Sequence, residues 1–176
     1  MEKLKERKEI FTGKVIHVVS DDILIDDNKK ANREVVIHNG GACIALKDAD
    51  GKYFMVKQYR YPQQMEMLEF CAGKIEPGEN PDDTILREAR EELGCVAKNV
   101  KSFGYIIPTC AYSTEKIYLY YGEVESRVKQ HFDEDESIET LKYSFSEIKE
   151  MIKNKEITDA KTISLMYQIE LNNLDK

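Results

Sequence analysis

No apolar run in the sequence approaches the roughly 18 residues that a membrane-spanning helix needs. The start, Met1-Glu2-Lys3-Leu4-Lys5-Glu6-Arg7, is charged and lacks the apolar stretch of a signal peptide. The expected address is therefore the cytoplasm, with no membrane partner. Cysteine is sparse: Cys43, Cys71, Cys95 and Cys110 are widely separated, with no C-x-x-C pair and no histidine at metal-ligand spacing. They read as reduced thiols packed as small apolar side chains. His17, His38 and His131 lie far apart, and nothing local joins one of them to a cysteine as a nucleophilic pair. Basic charge is in deficit, since 33 acidic residues against 26 basic ones leave a net charge of -7. That balance argues against a nucleic-acid or anionic-membrane surface, which needs a basic face.

What remains is a chain of 176 residues, 41% hydrophobic and 34% charged, enough for one globular core and without repeats or low-complexity tracts. Short strands are expected at Phe11 to Val19, Ile23 to Ile25 and Glu34 to His38, with polar turns at Ser20-Asp21-Asp22 and Asp26 to Asn32. This first segment reads as a small β ribbon. Gly41 to Lys47 and Tyr53 to Tyr59 form a hairpin around Asp48-Ala49-Asp50-Gly51, followed by a β segment from Met65 to Cys71 and a loop from Ala72 to Glu79. A helix over Pro81 to Leu93 follows, with Asn80 as N-cap, Asp82 and Asp83 at the positive end of its dipole and Gly94 at the stop. Strands are expected at Val100 to Ile107, Lys116 to Val124 and Lys142 to Phe145. Helices are expected at Ser146 to Asn154 and Asp159 to Asn172, the last with Ile163, Met166, Ile169 and Leu171 on its apolar face. The fold class is α+β, with helices on a mixed sheet.

On a helical wheel at about 100° per residue, Ile85, Leu86, Ala89 and Leu93 form one apolar stripe. Glu88, Glu91 and Glu92 share an adjacent arc. Like charges at these spacings repel, and a hard divalent cation would relieve the repulsion. Glutamate clusters on helices are more often solvated faces, with Arg87 and Arg90 here as partial compensation. The wider spacing reverses that preference: Gly73, five residues, Glu79, seven residues, Arg87-Glu88-Ala89, one residue, Glu91-Glu92, one residue, Gly94 and Cys95. This is the full Nudix box, G-x5-E-x7-R-E-U-x-E-E-x-G-U, with Ala89 and Cys95 as small residues at its two apolar positions.

The chain therefore resembles the Nudix hydrolases. The resemblance extends through Arg33-Glu34-Val35-Val36-Ile37-His38, Val56-Lys57-Gln58-Tyr59-Arg60-Tyr61-Pro62, Glu69 to Glu79 and Asp159-Ala160-Lys161-Thr162, which look like the ADP-ribose pyrophosphatase branch. It implies an α/β/α sandwich around a mixed sheet over 39–176. The antiparallel ribbon of 1–38 would serve a homodimer. It also implies Mg2+, with Mn2+ as an alternative, and hydrolysis of a nucleoside diphosphate sugar, first ADP-ribose to AMP and ribose 5-phosphate. A GDP- or UDP-linked sugar is the rival substrate, and a sensing module without catalysis is the rival class.

Carried over by position, the resemblance makes Glu88, Glu92 and the Ala72 carbonyl metal ligands. Glu79 joins or orients that set, and Glu91 is a ligand or the partner of one. Gly73, Arg87 and Gly94 are structural, with Arg87 pairing to a box carboxylate. The run Asp133-Glu134-Asp135-Glu136 supplies the general base, Glu134, and a further ligand, Glu136; with Glu91 these are the expected catalytic carboxylates. A charge run of this kind is otherwise a solvated loop. Arg33 and Arg60 are the candidate phosphate-binding cations, and Tyr59, Tyr61 and Tyr112 the candidate walls for a base, against the ordinary reading of each as a surface or core strand residue. Two departures from the branch, Cys71 before Ala72-Gly73 and Cys110-Ala111 where Pro-Gly is common, are expected to bear on substrate choice and to leave the metal site untouched.

Overall fold

The computed structural model describes residues 1–26, 28–131 and 137–175. The chain forms two compact units, one of Met1–Gly40 with Ile107–Lys116, the other of Gly41–Ile106 with Ile117–Lys176.

The first unit is an antiparallel sheet of β1 (Glu2–Thr12), β2 (His17–Ile25) and β3 (Lys29–Ile37) in that order. Two expectations are corrected here. The first strand of the ribbon starts at Glu2 rather than at Phe11, and Ser20-Asp21-Asp22 lies inside β2 rather than in a turn. The reason is cross-strand charge pairing. Asp21 stands opposite Arg7 in the register, and Arg7 donates from Nε and Nη2 to its two carboxylate oxygens at 2.8 and 2.7 Å. Asp22 accepts from Lys8 at 3.3 Å and from Asn32 on β3 at 2.9 Å. Opposed charges stabilise an antiparallel pair as apolar pairs do, but they leave no hydrophobic alternation to read. The 107–116 segment joins β3 through a parallel bridge between Val36 and Ser113, with Val36 N–H donating to Tyr112 O at 2.7 Å and Thr114 N–H to Val36 O at 3.0 Å.

The second unit is built on a seven-stranded mixed sheet. Its strands are β4 (Gly41–Lys47), β5 (Tyr53–Arg60), β6 (Met65–Glu69), β7 (Cys71–Lys74), β8 (Cys95–Ile106), β9 (Ile117–Arg127) and β10 (Ile138–Tyr143). The order is β10-β5-β4-β9-β8, with β6 on β5 and β7 on β4; β4 and β9 run parallel. The expected β4–β5 hairpin forms, pairing at Lys47 and Tyr53 before β7 lines β4 and β6 lines β5. Residues 72–74, expected as loop, are therefore strand.

β4 is apolar at every interior position because both its faces are covered. Ala42, Ile44 and Leu46 pack with Phe54, Val56, Cys71 and Tyr120 against Ile85 of α1 (Pro81–Glu91) and Leu93 just beyond it. Cys43 and Ala45 pack with Tyr53, Met55, Phe70 and Leu119 against Ile148 of α2 (Phe145–Lys153) and Leu165, Met166 and Ile169 of α3 (Ala160–Leu171). The second unit is thus the expected α/β/α sandwich. Its helices start on caps written in the sequence: Asn80 accepts from Asp83 N–H, Ser144 and Glu147 form a capping box, and Asp159 accepts from Thr162 N–H. Both helix faces differ from the reading in part. Leu86, Ile163 and Leu171 are exposed, Ile85, Ala89 and Leu93 are buried as expected, and α3 buries Thr162 and Leu165 beside the expected Met166 and Ile169. That i, i+3, i+4, i+7 set is a complete stripe in its own right. No helix among the described residues is long and apolar enough to cross a membrane.

Candidate active site

The box residues lie on α1, on the loop before it and on β7. Burial of Ile85 and Ala89 fixes the roll of α1, and the glutamate arc then follows from the helical repeat. Arg87 gathers three of the carboxylates. Its Nε and Nη2 donate to the two oxygens of Glu79 at 3.0 and 3.2 Å. Nη1 donates to Glu88 Oε1 at 2.7 Å and to Glu91 Oε2 at 2.9 Å. Hydrogen bonds from Arg87 bring the Glu79 carboxyl down to about 2, against the opposing effect of burial. The same bonds raise Arg87 further above its usual range, so both groups stay charged throughout physiological pH.

The remaining two features involve β7. A Cβ placed on Gly73 would overlap the Glu88 carboxylate and its Cγ, so Glu88 occupies the space that glycine leaves open. Glu92 is only 5% exposed and lies by the Cys71 thiol, which burial first, then the Glu92 charge and hydrogen bond, push well above the usual thiol range. The departure at Cys71 therefore lies beside a box carboxylate. Ala72 sits between these two positions and pairs with Cys43 of β4.

The C-terminal end of α1 is clamped by residues that the sequence did not reveal. Gln130 Nε2 donates to Glu92 O at 2.5 Å and to Thr140 Oγ1 at 2.9 Å, and His131 N–H donates to Glu91 O at 3.1 Å. Gly94 has φ +59, and a Cβ there would lie 2.7 Å from Val128 O and 2.8 Å from Gln130 Cγ. Glycine is thus required for both conformation and space. Both flanks of the acidic run are bound to the last turn of α1 through His131, Gln130 and Thr140. Glu134 and Glu136 themselves lie outside the described residues.

The side chains are all hard oxygen donors, with a glycine leaving room for one of them, and this set fits a divalent cation such as Mg2+. Among the described residues no three acidic, imidazole or thiol side chains are already gathered as a metal-binding group. Glu79, Glu88 and Glu91 are turned onto the Arg87 guanidinium instead.

Of the substrate candidates, Arg60 lies in the second unit and lines a cleft of about 470 Å3 with Met67, Glu69, Asp159 and Lys161. It is held by Glu69, donating from Nε at 2.7 Å and from Nη2 at 2.8 Å. Arg33 lies in the first unit and pairs with Glu2 through Nη2 at 2.5 Å and Nε at 3.3 Å, with Nη1 on Asn32 O at 2.9 Å. Tyr59 and Tyr61 of the second unit and Tyr112 of the first are exposed rather than core residues.

A family model described as NUDIX domain matches residues 37–166. The chain belongs to the Nudix family. Over 172 residues this Nudix protein is 32% identical to an ADP-ribose pyrophosphatase of Bacillus subtilis (strain 168), covering 97% of the chain and 93% of the relative. It is 31% identical, with the same coverage, to a methanol dehydrogenase activator of Bacillus methanolicus. Against a GDP-mannose pyrophosphatase of Shigella flexneri serotype 5b (strain 8401) it is 29% identical over 90% of the chain and 89% of the relative. Among solved structures, "Crystal structure of ADP compounds hydrolase" superposes with a TM-score of 0.83 over 96% of this chain and 92% of the other at 15% identity, a likeness of fold.

Proposed function

We propose that this Nudix protein is a pyrophosphatase that hydrolyses the diphosphate of a nucleoside diphosphate sugar, with ADP-ribose as first substrate and AMP and ribose 5-phosphate as products. One observation carries the reading: Glu79, Glu88, Glu91 and Glu92 stand together on one helix edge and its leading loop, beside a glycine that leaves room for Glu88. Membership of the Nudix family, and relatives named for ADP-ribose and GDP-mannose pyrophosphatase activity, support it.

In this reading Glu88, Glu92 and the Ala72 carbonyl hold Mg2+ or Mn2+, with Glu79, Glu91 and Glu136 as further ligands or their partners. A bound divalent ion would neutralise diphosphate charge and make a water molecule more acidic. Arg87 keeps Glu79 ionised and holds Glu79, Glu88 and Glu91 in place. Glu134 takes the proton of the attacking water, a role for which it need not be spent on metal. Arg60 binds a phosphate oxygen of the substrate, and Arg33 is a further candidate cation for substrate phosphate. Tyr59 and Tyr112 offer exposed rings to a base. The water attacks one phosphorus directly and no covalent enzyme intermediate forms.

The test is turnover of ADP-ribose, GDP-mannose, UDP-glucose, NADH and diadenosine polyphosphates in Mg2+, with products resolved. Preferential release of AMP from ADP-ribose is expected. Preference for GDP-mannose would transfer the assignment to that sugar, and inertness toward all of them with retained ligand binding would replace the enzyme by a sensor.

The 1–38 ribbon is proposed as a homodimer surface. Exposed Leu4, Ile10 and Phe11 on β1 support this, since apolar side chains left in water favour burial against another chain. Light scattering is expected to give twice the chain mass for the intact protein and the single mass for a Leu4→Glu/Phe11→Glu variant; a monomeric intact protein contradicts it.

A further inference from the structure

Glu69 is the buried centre of a charge network away from the carboxylate helix. It closes β6, is 2% exposed, and accepts from Arg60 Nε and Nη2 and from Lys161 Nζ. Lys161 also donates to Asp159 Oδ1 at 2.8 Å. Asp159 in turn accepts from Thr162 N–H at 2.9 Å, and Thr162 Oγ1 accepts from Phe70 N–H at 2.9 Å. The network thus starts on β5, passes through β6 to the first turn of α3, and returns to the residue next to Glu69.

Two carboxylates and two cations cancel, so the cleft they line holds no net charge with which to attract an anion. What it offers is orientation. Glu69 occupies the Nε and Nη2 edge of Arg60 and leaves Nη1 with no hydrogen-bond partner among the described residues. A free arginine would have to order several side-chain bonds at the moment of binding, whereas this one is already ordered. Burial raises the Glu69 carboxyl, but the Arg60 hydrogen bonds and the Lys161 charge more than offset it, and Glu69 stays ionised. The Arg60 guanidinium also feels the Glu92 charge, in lesser degree than its hydrogen bonds to Glu69, which brings the cleft into electrostatic reach of the box.

We infer that Glu69, braced by Lys161 and Asp159, is a positioning residue that presets Arg60 so that its Nη1 group meets a phosphate oxygen of the nucleoside diphosphate sugar. The inference rests on the pyrophosphatase reading above. Glu69 itself does not touch the substrate, because both its oxygens are engaged within the protein.

The experiment is steady-state turnover of ADP-ribose in Mg2+ by the wild type, Glu69→Gln, Arg60→Lys and the double variant, with thermal melts of each. Glu69→Gln is expected to raise KM by about tenfold with kcat little changed, the mark of lost uniform binding. Arg60→Lys should do the same, and the double variant should be no worse than Arg60→Lys alone. Should Glu69→Gln not fold, Glu69→Asp keeps the charge but shortens the reach to both Arg60 nitrogens, and it should show the same rise in KM. Wild-type KM in the Glu69 variants, or effects that multiply in the double variant, would overturn the positioning role while leaving the hydrolase intact. Wild-type inertness toward every nucleotide sugar would overturn both.

Discussion

Glu92→Gln is expected to lower kcat for ADP-ribose by about 10³-fold or more, equivalent to about 4 kcal/mol of barrier. The substitution conserves shape and removes one negative charge from a side chain that is 5% exposed beside Cys71. A buried carboxylate is costly to the fold, so the amide should leave metal-free stability equal to or above that of the wild type. Activity and stability therefore move apart. The wild type should gain melting temperature on adding Mg2+ through binding linkage, and Glu92→Gln should lose most of that gain. Calorimetric melts with and without Mg2+, beside initial rates, check both halves. Unaltered turnover in Glu92→Gln would remove the box from the mechanism.

Gly73→Ala should show a similar separation from the opposite side of the site. The added methyl would overlap the end of the Glu88 side chain, which can rotate away, while the β7 backbone need not shift. Alanine is favoured over glycine inside a strand by roughly 0.5–1 kcal/mol, and the partly exposed Arg87–Glu88 pair that would be lost contributes about 0.2–1 kcal/mol. These nearly cancel, so urea unfolding should place the variant within about 1 kcal/mol of the wild type. Catalysis should fall by about 10²-fold or more, because displacement of a ligand carboxylate by about 1 Å is enough for that. Titration with Mn2+ should show weakened binding. A fully active Gly73→Ala would mean that Glu88 has no fixed place in the reaction.

The two substitutions also mark how much could be read from the sequence. The glutamate edge of α1 was legible because a helix turns by a fixed angle per residue, and Gly73, Glu79 and Gly94 are set by chain distance from it. The cap at Asn80 was local, and the Asp and Gly chemistry of 48–51 announced the hairpin of β4 and β5. Contacts formed by the return of the chain were not legible. Glu69 and Lys161 are 92 residues apart, and Gln130 and Thr140 reach the Glu92 carbonyl from 38 and 48 residues away. No spacing rule connects them. The strand before Phe11 was missed because its stabilising pairs are charged, and part of the apolar face of α3 was misplaced because Thr162 takes a core position that a hydrophobic count leaves out. Cys71 could be read as a departure from a pattern; its place beside Glu92 needed β7 laid under α1.

The most direct test of the account is the initial rate of AMP formation from ADP-ribose by the unmodified protein, measured with Mg2+ and again in excess chelator. AMP and ribose 5-phosphate in equal amounts with Mg2+, and their loss on chelation with recovery when Mg2+ is restored, is the predicted result. Undiminished hydrolysis in chelator would contradict a carboxylate-held divalent ion as the basis of the reaction.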